Sequence, residues 1–433
     1  MNAKTLYALI AAAVIALVAA IWISSANRPA SEGSSQGRLV LPGLRDQVNN
    51  VDSIALTGAG DKVLVTLKRG ADGWHVVEKS SYPADLAKLR EFLLKLANAT
   101  VLEEKTANPK RHADLGVDDM AGKDAKGVQV VIGGLKQPLK FILGLYNGAG
   151  GGGTFVRRDG EAQSLLASGN LLAEKSPAGW LKHDLVDIDS GRVKEVVLTN
   201  LEGKVLRAAK AQSADANFRV ADVPKGRELA SDYVANSLGS GLANLRIEDV
   251  AAAHDLAPPD KVYKVHYLAF GGTVVDVTAW DADGKNALQL VAANDAAQLD
   301  AGIIAEQAAA KATYETAVAA AKLKVVEAKG DDAAIAKAEA DVAKPPSMGD
   351  PAKDRSERLA AATKVVDDLN KTFAGWTFTV PAYAFANFNK SMDDMLKPIA
   401  QKAAPGGKPP VPQPVRGQTS RAPMVKPAPA PAH

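Results

Sequence analysis

Cysteine is absent from this 433-residue chain. That excludes disulfides, thiolate zinc sites, iron–sulfur clusters, a cysteine nucleophile and a lipid anchor on Cys. Aromatic residues are only 5%, which argues against an extensive aromatic cleft, and six histidines leave little material for metal sites. Charge of one sign is also lacking overall, because the formal net charge is +3. Even that excess sits in one place. Lys402, Lys408, Arg416, Arg421 and Lys426 carry five positive charges in a stretch without acids, so the remainder of the chain is slightly acidic. The basic pI therefore belongs to the tail and points to no nucleic-acid surface on the folded body; no nucleic-acid partner is expected.

The residues that are present read as globular. Hydrophobic residues are 47% and charged residues 23%, which excludes a wholly disordered or polytopic membrane chain. At roughly 100–200 residues per domain, two or three domains are expected.

One long apolar run stands out. Residues 5–24 contain no charge and have the length of a bilayer-spanning helix, with Tyr7 and Trp22 near its ends. Small residues at Ser24 and Ala26 also fit a cleaved signal peptide. The run exceeds the usual signal core, so an uncleaved anchor is favoured. A four-residue N-tail ahead of it and a long body behind it favour export of the body, although Arg28 and Arg38 weaken the charge asymmetry. The reading is thus a single-pass inner-membrane protein with an extracytoplasmic body. Residues 25–50 follow as a linker, polar and rich in Ser and Gly in its first half.

Short alternating strands begin near Val51. Residues 53–56, 62–68 and 74–78 are separated by Gly-containing turns, and Val63, Val65 and Leu67 suggest one buried face. Residues 83–97 then carry Leu86, Leu89, Leu93 and Leu96 at helical spacing after a Pro-Ala-Asp start. The same order recurs. VDSIALTGAGDKVLVTL from Val51 resembles VKEVVLTNLEGKVLRAA from Val193, and HADLGVDD from His112 resembles HDLAPPD from His254. This internal repeat predicts an α+β chain of two tandem duplicated modules, 51–190 and 191–292, each an antiparallel sheet with a packed helix.

Residues 293–373 interrupt the second module. They are rich in Ala, Lys, Glu and Asp and hold apolar residues three and four apart, with Pro345, Pro346 and Pro351 breaking the run. A coiled-coil-like antiparallel helical hairpin is expected there. Residues 374–400 close the module with a strand and a helix over 384–399. The tail, 401–433, holds nine of the 23 prolines and is expected to be a disordered basic arm.

Several stretches together resemble the bacterial "domain of unknown function 4340" family. They are residues 39–56, GWHVVEKSSYPADLAKLREFLLKLANATVLEEKTANP from Gly73, HADLGVDD from His112, GTFVRRDGEAQSLL from Gly153 and GWLKHDLVDI from Gly179. The resemblance covers most of residues 39–190 and extends more loosely to about 292 and from Trp376 to Pro398. It implies an envelope protein grouped with ABC-type export and gliding-type transport components, and no known activity. The helical insertion and the Pro-rich tail depart from the family pattern.

No catalytic constellation emerges from the residues, and no catalytic, cofactor or metal residue is assigned. The glycine run 147–153 lacks the Lys-Ser/Thr ending of a phosphate loop and joins two strands, so a hairpin loop is favoured. His183-Asp184 has no accompanying nucleophile, and His112 and His254 occupy equivalent turns of the repeat. The leading expectation is a non-enzymatic accessory or scaffold subunit of an ABC-type transport assembly. The alternative is a binding module for an envelope polymer or small ligand in the crevice between the modules. Arg157, Arg158, Trp180 and Trp280 are the candidate contacts for a ligand or partner.

Overall fold

The computed structural model describes residues 37–149, 151–327, 332–342 and 350–398. The expected anchor at 5–24, residues 25–36 of the expected linker and the tail from 401 lie outside them, whereas the linker's second half is folded onto the body, with Val40, Leu41 and Leu44 buried. Among the described residues no helix is long and apolar enough to cross a membrane.

The chain is a mixed α+β protein with antiparallel sheets. The first sheet contains β1 (Ser53–Gly58), β2 (Lys62–Gly70), β3 (Gly73–Val76), β4 (Tyr82–Pro83), β5 (Val101–Glu104), β6 (Val128–Gly133), β7 (Leu139–Asn147), β8 (Gly153–Arg158) and β9 (Ser164–Ser168). Its spatial order is β4-β3-β2-β1-β6-β7-β8-β9-β5. Alternation builds its core. Ile54 of β1 pairs with Leu67 on one side and Ile132 on the other, and Leu56 pairs with Val65 and Val130. All six are buried, so each pairing row delivers its apolar side chains to one face.

Between β4 and β5 lies helix α1 (Leu86–Asn98). Asp85 caps it by accepting the Lys88 backbone N–H at 3.0 Å. Leu89, Phe92, Leu93, Leu96 and Ala97 form its buried face.

A short strand β10 (Asp184–Val186) then leads into the second sheet: β11 (Val193–Thr199), β12 (Val205–Ala209), β13 (Arg219–Val220), β15 (Asp249–Ala252), β16 (Tyr263–Ala269), β17 (Thr273–Ala282), β18 (Lys285–Asn294) and β19 (Trp376–Thr379). β14 (Leu245–Arg246) pairs only with β10. The order β13-β12-β11-β16-β17-β18-β19-β15 repeats that of the first sheet strand for strand, without a counterpart of β4. Val196 and Leu198 take the places of Ile54 and Leu56, pairing with Ala208 and Leu206 and with Tyr267 and Val265.

Three details differ from the sequence reading. A register shift after Leu56 places Val65, not Leu64, opposite it, and leaves Val63 exposed. The gapless match of Leu64 to Leu206 therefore fails by one residue, which a bulge absorbs. In the second module the packed helix shrinks to one turn, Asn236–Gly239. The closing helix expected at 384–399 is two separate turns, Ala382–Phe385 and Met392–Met395, the second begun by a Ser391–Asp394 capping box.

The insertion leaves the body between β18 and β19, strands that still pair directly through Leu288 and Phe378. It consists of α2 (Ala296–Glu327), α3 (Asp332–Val342) and α4 (Pro351–Phe373). The returning arm of the expected hairpin is thus two helices, and α2 packs against both. Asn370 roots α4 on the sheet. Its side chain accepts from Ala292 N–H and donates to Ala292 C=O, both at 2.8 Å.

Candidate functional site

Two sheets in series acquire a fixed relation only if something bridges them. Residues 178–188 do this as a strap. Its first half bonds to the chain around β4, with Asp85 N–H donating to Trp180 C=O at 2.8 Å and Lys182 N–H to Pro83 C=O at 2.9 Å. Its second half bonds to the second module: β10 pairs with β14, and Ile188 N–H donates to Leu242 C=O at 2.9 Å. Side chains complete the seam. The Lys79 ammonium stands 2.5 Å from the Asp249 carboxylate, and Tyr82 meets Trp376 and Phe378 edge-on, with centroids 5.1 and 6.2 Å away. Tyr82 is 2% exposed, and burial pushes its hydroxyl up to about 12. Buried apolar residues from both sheets join in one continuous core.

Each candidate named from sequence has a definite place. Trp180 is part of that core. It lies edge-on to Phe92 at 5.5 Å, donates its indole N–H to Glu174 C=O at 2.8 Å and receives the Lys88 ammonium over its ring. At 1% exposure it has no face for a ligand. Arg157 donates through Nε to Val117 C=O at 2.7 Å and pairs with Asp119, so it ties down a loop of its own module. Arg158, next to it on β8, stands 3.2 Å from the Glu161 carboxylate. Trp280 is buried on β17 beside a hollow of ≈ 470 Å³ that Tyr263 and Phe385 also line. The four do not line one hollow together.

The histidines are likewise occupied locally. His183 hydrogen-bonds Ile247 C=O through Nδ1 at 2.7 Å, within the strap, and buried His112 bonds Ala162 C=O through Nε2 at 2.9 Å. His254, its counterpart in the repeat, is exposed beside Asp255. The glycine run joins paired strands, Asn147 opposite Gly153, as a hairpin loop does. Among the described residues no group of three or more His, Asp or Glu side chains could hold a metal ion.

The junction itself carries a hollow of ≈ 410 Å³ lined by Lys182, Asp184, Asp187, Asn244 and Arg246. Arg246 Nε is 3.3 Å from Asp184, so its charges are partly paired already. A larger groove, ≈ 510 Å³, lies between α1 and the β2–β3 hairpin. Sequence reading missed its Arg69 and Arg90; the signal available was Leu94, a leucine out of register with the apolar spacing of Leu89, Leu93 and Leu96.

This arrangement of strands, helix and strap spans a stretch with a recognisable sequence. Residues 74–263 match the family described as "Domain of unknown function (DUF4340)". The DUF4340 match begins on β3, crosses the strap and ends at the first residue of β16, leaving the helical insertion outside. It supports the resemblance drawn from the residues. No curated protein and no solved structure matches the chain.

Proposed function

We propose that the protein is a non-enzymatic scaffold or accessory subunit of an ABC-type envelope transport assembly in a bacterium. In this reading residues 5–24 hold it in the inner membrane, the duplicated modules form an extracytoplasmic platform, and the helical insertion reaches the partner. The insertion carries the proposal. α2 alone is 32 residues, about 48 Å at 1.5 Å per residue, and leaves the body between two strands that pair without it. It spends Ile304 and Leu323, 52% and 64% exposed, on its surface. The continuous core and the strap suit a platform that keeps its shape, because opening it would expose apolar area on both sides of the seam.

The test is co-purification from native membranes in mild detergent. The full chain should bring down transporter permease or ATPase subunits. A variant with residues 309–348 replaced by a short Gly-Ser loop should lose them while melting within a few degrees of the full chain. The replacement is feasible because Gln307 already bonds Pro351 C=O at 2.9 Å. Equal recovery by both chains contradicts the proposal.

A second reading, a binding module for an envelope polymer or small ligand at the module junction, is favoured by the hollow beneath the strap. Cell-wall fragments at 100 times their dissociation constant would then stabilise the chain by about 2.7 kcal/mol. No shift in melting temperature across such fragments counts against it.

A further inference from the structure

We propose that the groove between α1 and the β2–β3 hairpin binds a single-chain anionic amphiphile, an acyl or alkyl chain with a carboxylate or phosphate head. The inference stands apart from the transport reading and rests on the groove alone.

Apolar side chains make up most of its lining, which also includes Asn49. Trp74 of β3 faces Leu86, Leu89 and Leu93 of α1 across a volume of ≈ 510 Å³, within the range that houses small ligands. Leu86 and Leu94 remain 42% and 51% exposed on the rim, although the rest of the helix's leucines are buried or turned inward. Such a rim gains free energy when an apolar chain covers it, at about 25 cal/mol per Å².

Both charges on the groove have the same sign. Arg69 and Arg90 line it, and no Asp or Glu does. Arg69 is held in place by donating from Nη1 to Asn49 C=O at 3.1 Å, which leaves further donors on its guanidinium. Arg90 has no ion-pair partner among the described residues. Two guanidinium groups over an apolar trough match an anionic head above an apolar chain, and planar Arg donors suit carboxylate and phosphate oxygens alike.

The repeat supplies a second argument. The second module keeps the strands but reduces α1 to the single turn Asn236–Gly239. The hollow at the corresponding strand β13 of the second module, ≈ 430 Å³, has Asp215 and Asp232 in its lining, so a trough whose only charges are arginines belongs to the first module.

The test uses the full chain in lipid nanodiscs and a terminally brominated undecanoate, whose bromine quenches tryptophan on contact. A brominated undecyl phosphate and a brominated alkyl maltoside serve as the second and third probes. Saturable quenching by the anionic probes is expected, most of it lost in Trp74→Phe. Arg90→Glu should weaken binding at least about tenfold, the scale of a charge-assisted hydrogen bond, while Arg90→Lys keeps most of it. Preference between the two anionic probes assigns the head group. Equal quenching by the neutral maltoside overturns the proposal, as does saturable quenching that neither Trp74→Phe nor Arg90→Glu changes in chains of unaltered melting temperature.

Discussion

Tyr82 of β4 meets Trp376 of β19 edge-on, ring centroids 5.1 Å apart and planes at 88°. One ring closes the edge of the first sheet and the other lies near the far edge of the second. Aromatic pairs in this geometry add about 0.5–1.5 kcal/mol beyond the area they bury. The contact makes the two modules one packing unit.

Truncating that ring should uncouple them. Tyr82→Ala is expected to cost about 3–5 kcal/mol, the range for a buried aromatic, and to split urea unfolding into two steps. Trp180→Ala should cost a similar amount, because its ring is core and not a ligand contact. Tryptophan fluorescence against urea, compared with far-UV circular dichroism, reads both. Coincident, unshifted transitions in Tyr82→Ala would deny the seam its role.

Alkaline pH should loosen the same seam. The Tyr82 hydroxyl is raised to about 12 by burial, against 10 for the unfolded chain. A raised value means the neutral form is favoured by folding, so this stability is fully present below pH 10 and is lost as pH climbs towards 12. The loss is on the order of 2–3 kcal/mol by linkage. Tyr82→Phe should flatten that part of the profile while leaving stability at pH 7 within about 1 kcal/mol. Tyr267 is raised further by its complete burial and titrates beyond this window.

Acid should open the base of the helical insertion first. The Asp354 carboxyl is held below its usual value of 3.8 by the Gln307 side-chain amide and then by Arg358. A lowered value contributes stability above the ordinary carboxylate range and loses it as pH falls through the folded value. Arg355, paired with Asp300 at 2.6 Å, joins the same cluster. Hydrogen-exchange protection at residues 352–358, corrected for the intrinsic rate at each pH, should therefore fall between pH 5 and pH 3, and by more than protection in β17. Gln307→Leu should lower protection here at neutral pH and flatten its loss in acid, because the main cause of the lowered Asp354 value is gone.

Asn370 tests the root of the insertion. Its amide serves both the N–H and C=O of Ala292 on β18. Asn370→Leu leaves these two groups without their partners and should cost about 1–3 kcal/mol for each one that stays buried and unmet. Denaturant unfolding measures it, and a loss under 0.5 kcal/mol would show that water replaces the amide.

The sheets were legible because their signal is local. Ile54 and Leu56 announce a half-buried strand, and Val196 and Leu198 repeat the announcement. The bulge after Leu56 was not, since it depends on one surplus residue in a turn and on which register buries Val65. The lost helix of the second module was hidden for a similar reason: Leu238 and Leu242 keep apolar spacing while the chain between them turns without propagating. The four candidate contacts do not share one hollow, because Trp and Arg look the same in sequence whether they face solvent or, like Trp180 and Arg157, satisfy their own module. Arg69 and Arg90 escaped notice because a strand and a helix bring them to one groove from separate segments.

The most direct test of the scaffold account is site-specific photo-crosslinking in native membranes. A photoreactive residue would replace Leu323 on the insertion, and in separate chains Tyr383 or Val205, both exposed on the body at 73% and 55%. The account predicts crosslinks from position 323 to an integral-membrane transport subunit, and few or none from 383 and 205. Crosslinks from the body positions with silence at 323 would contradict it.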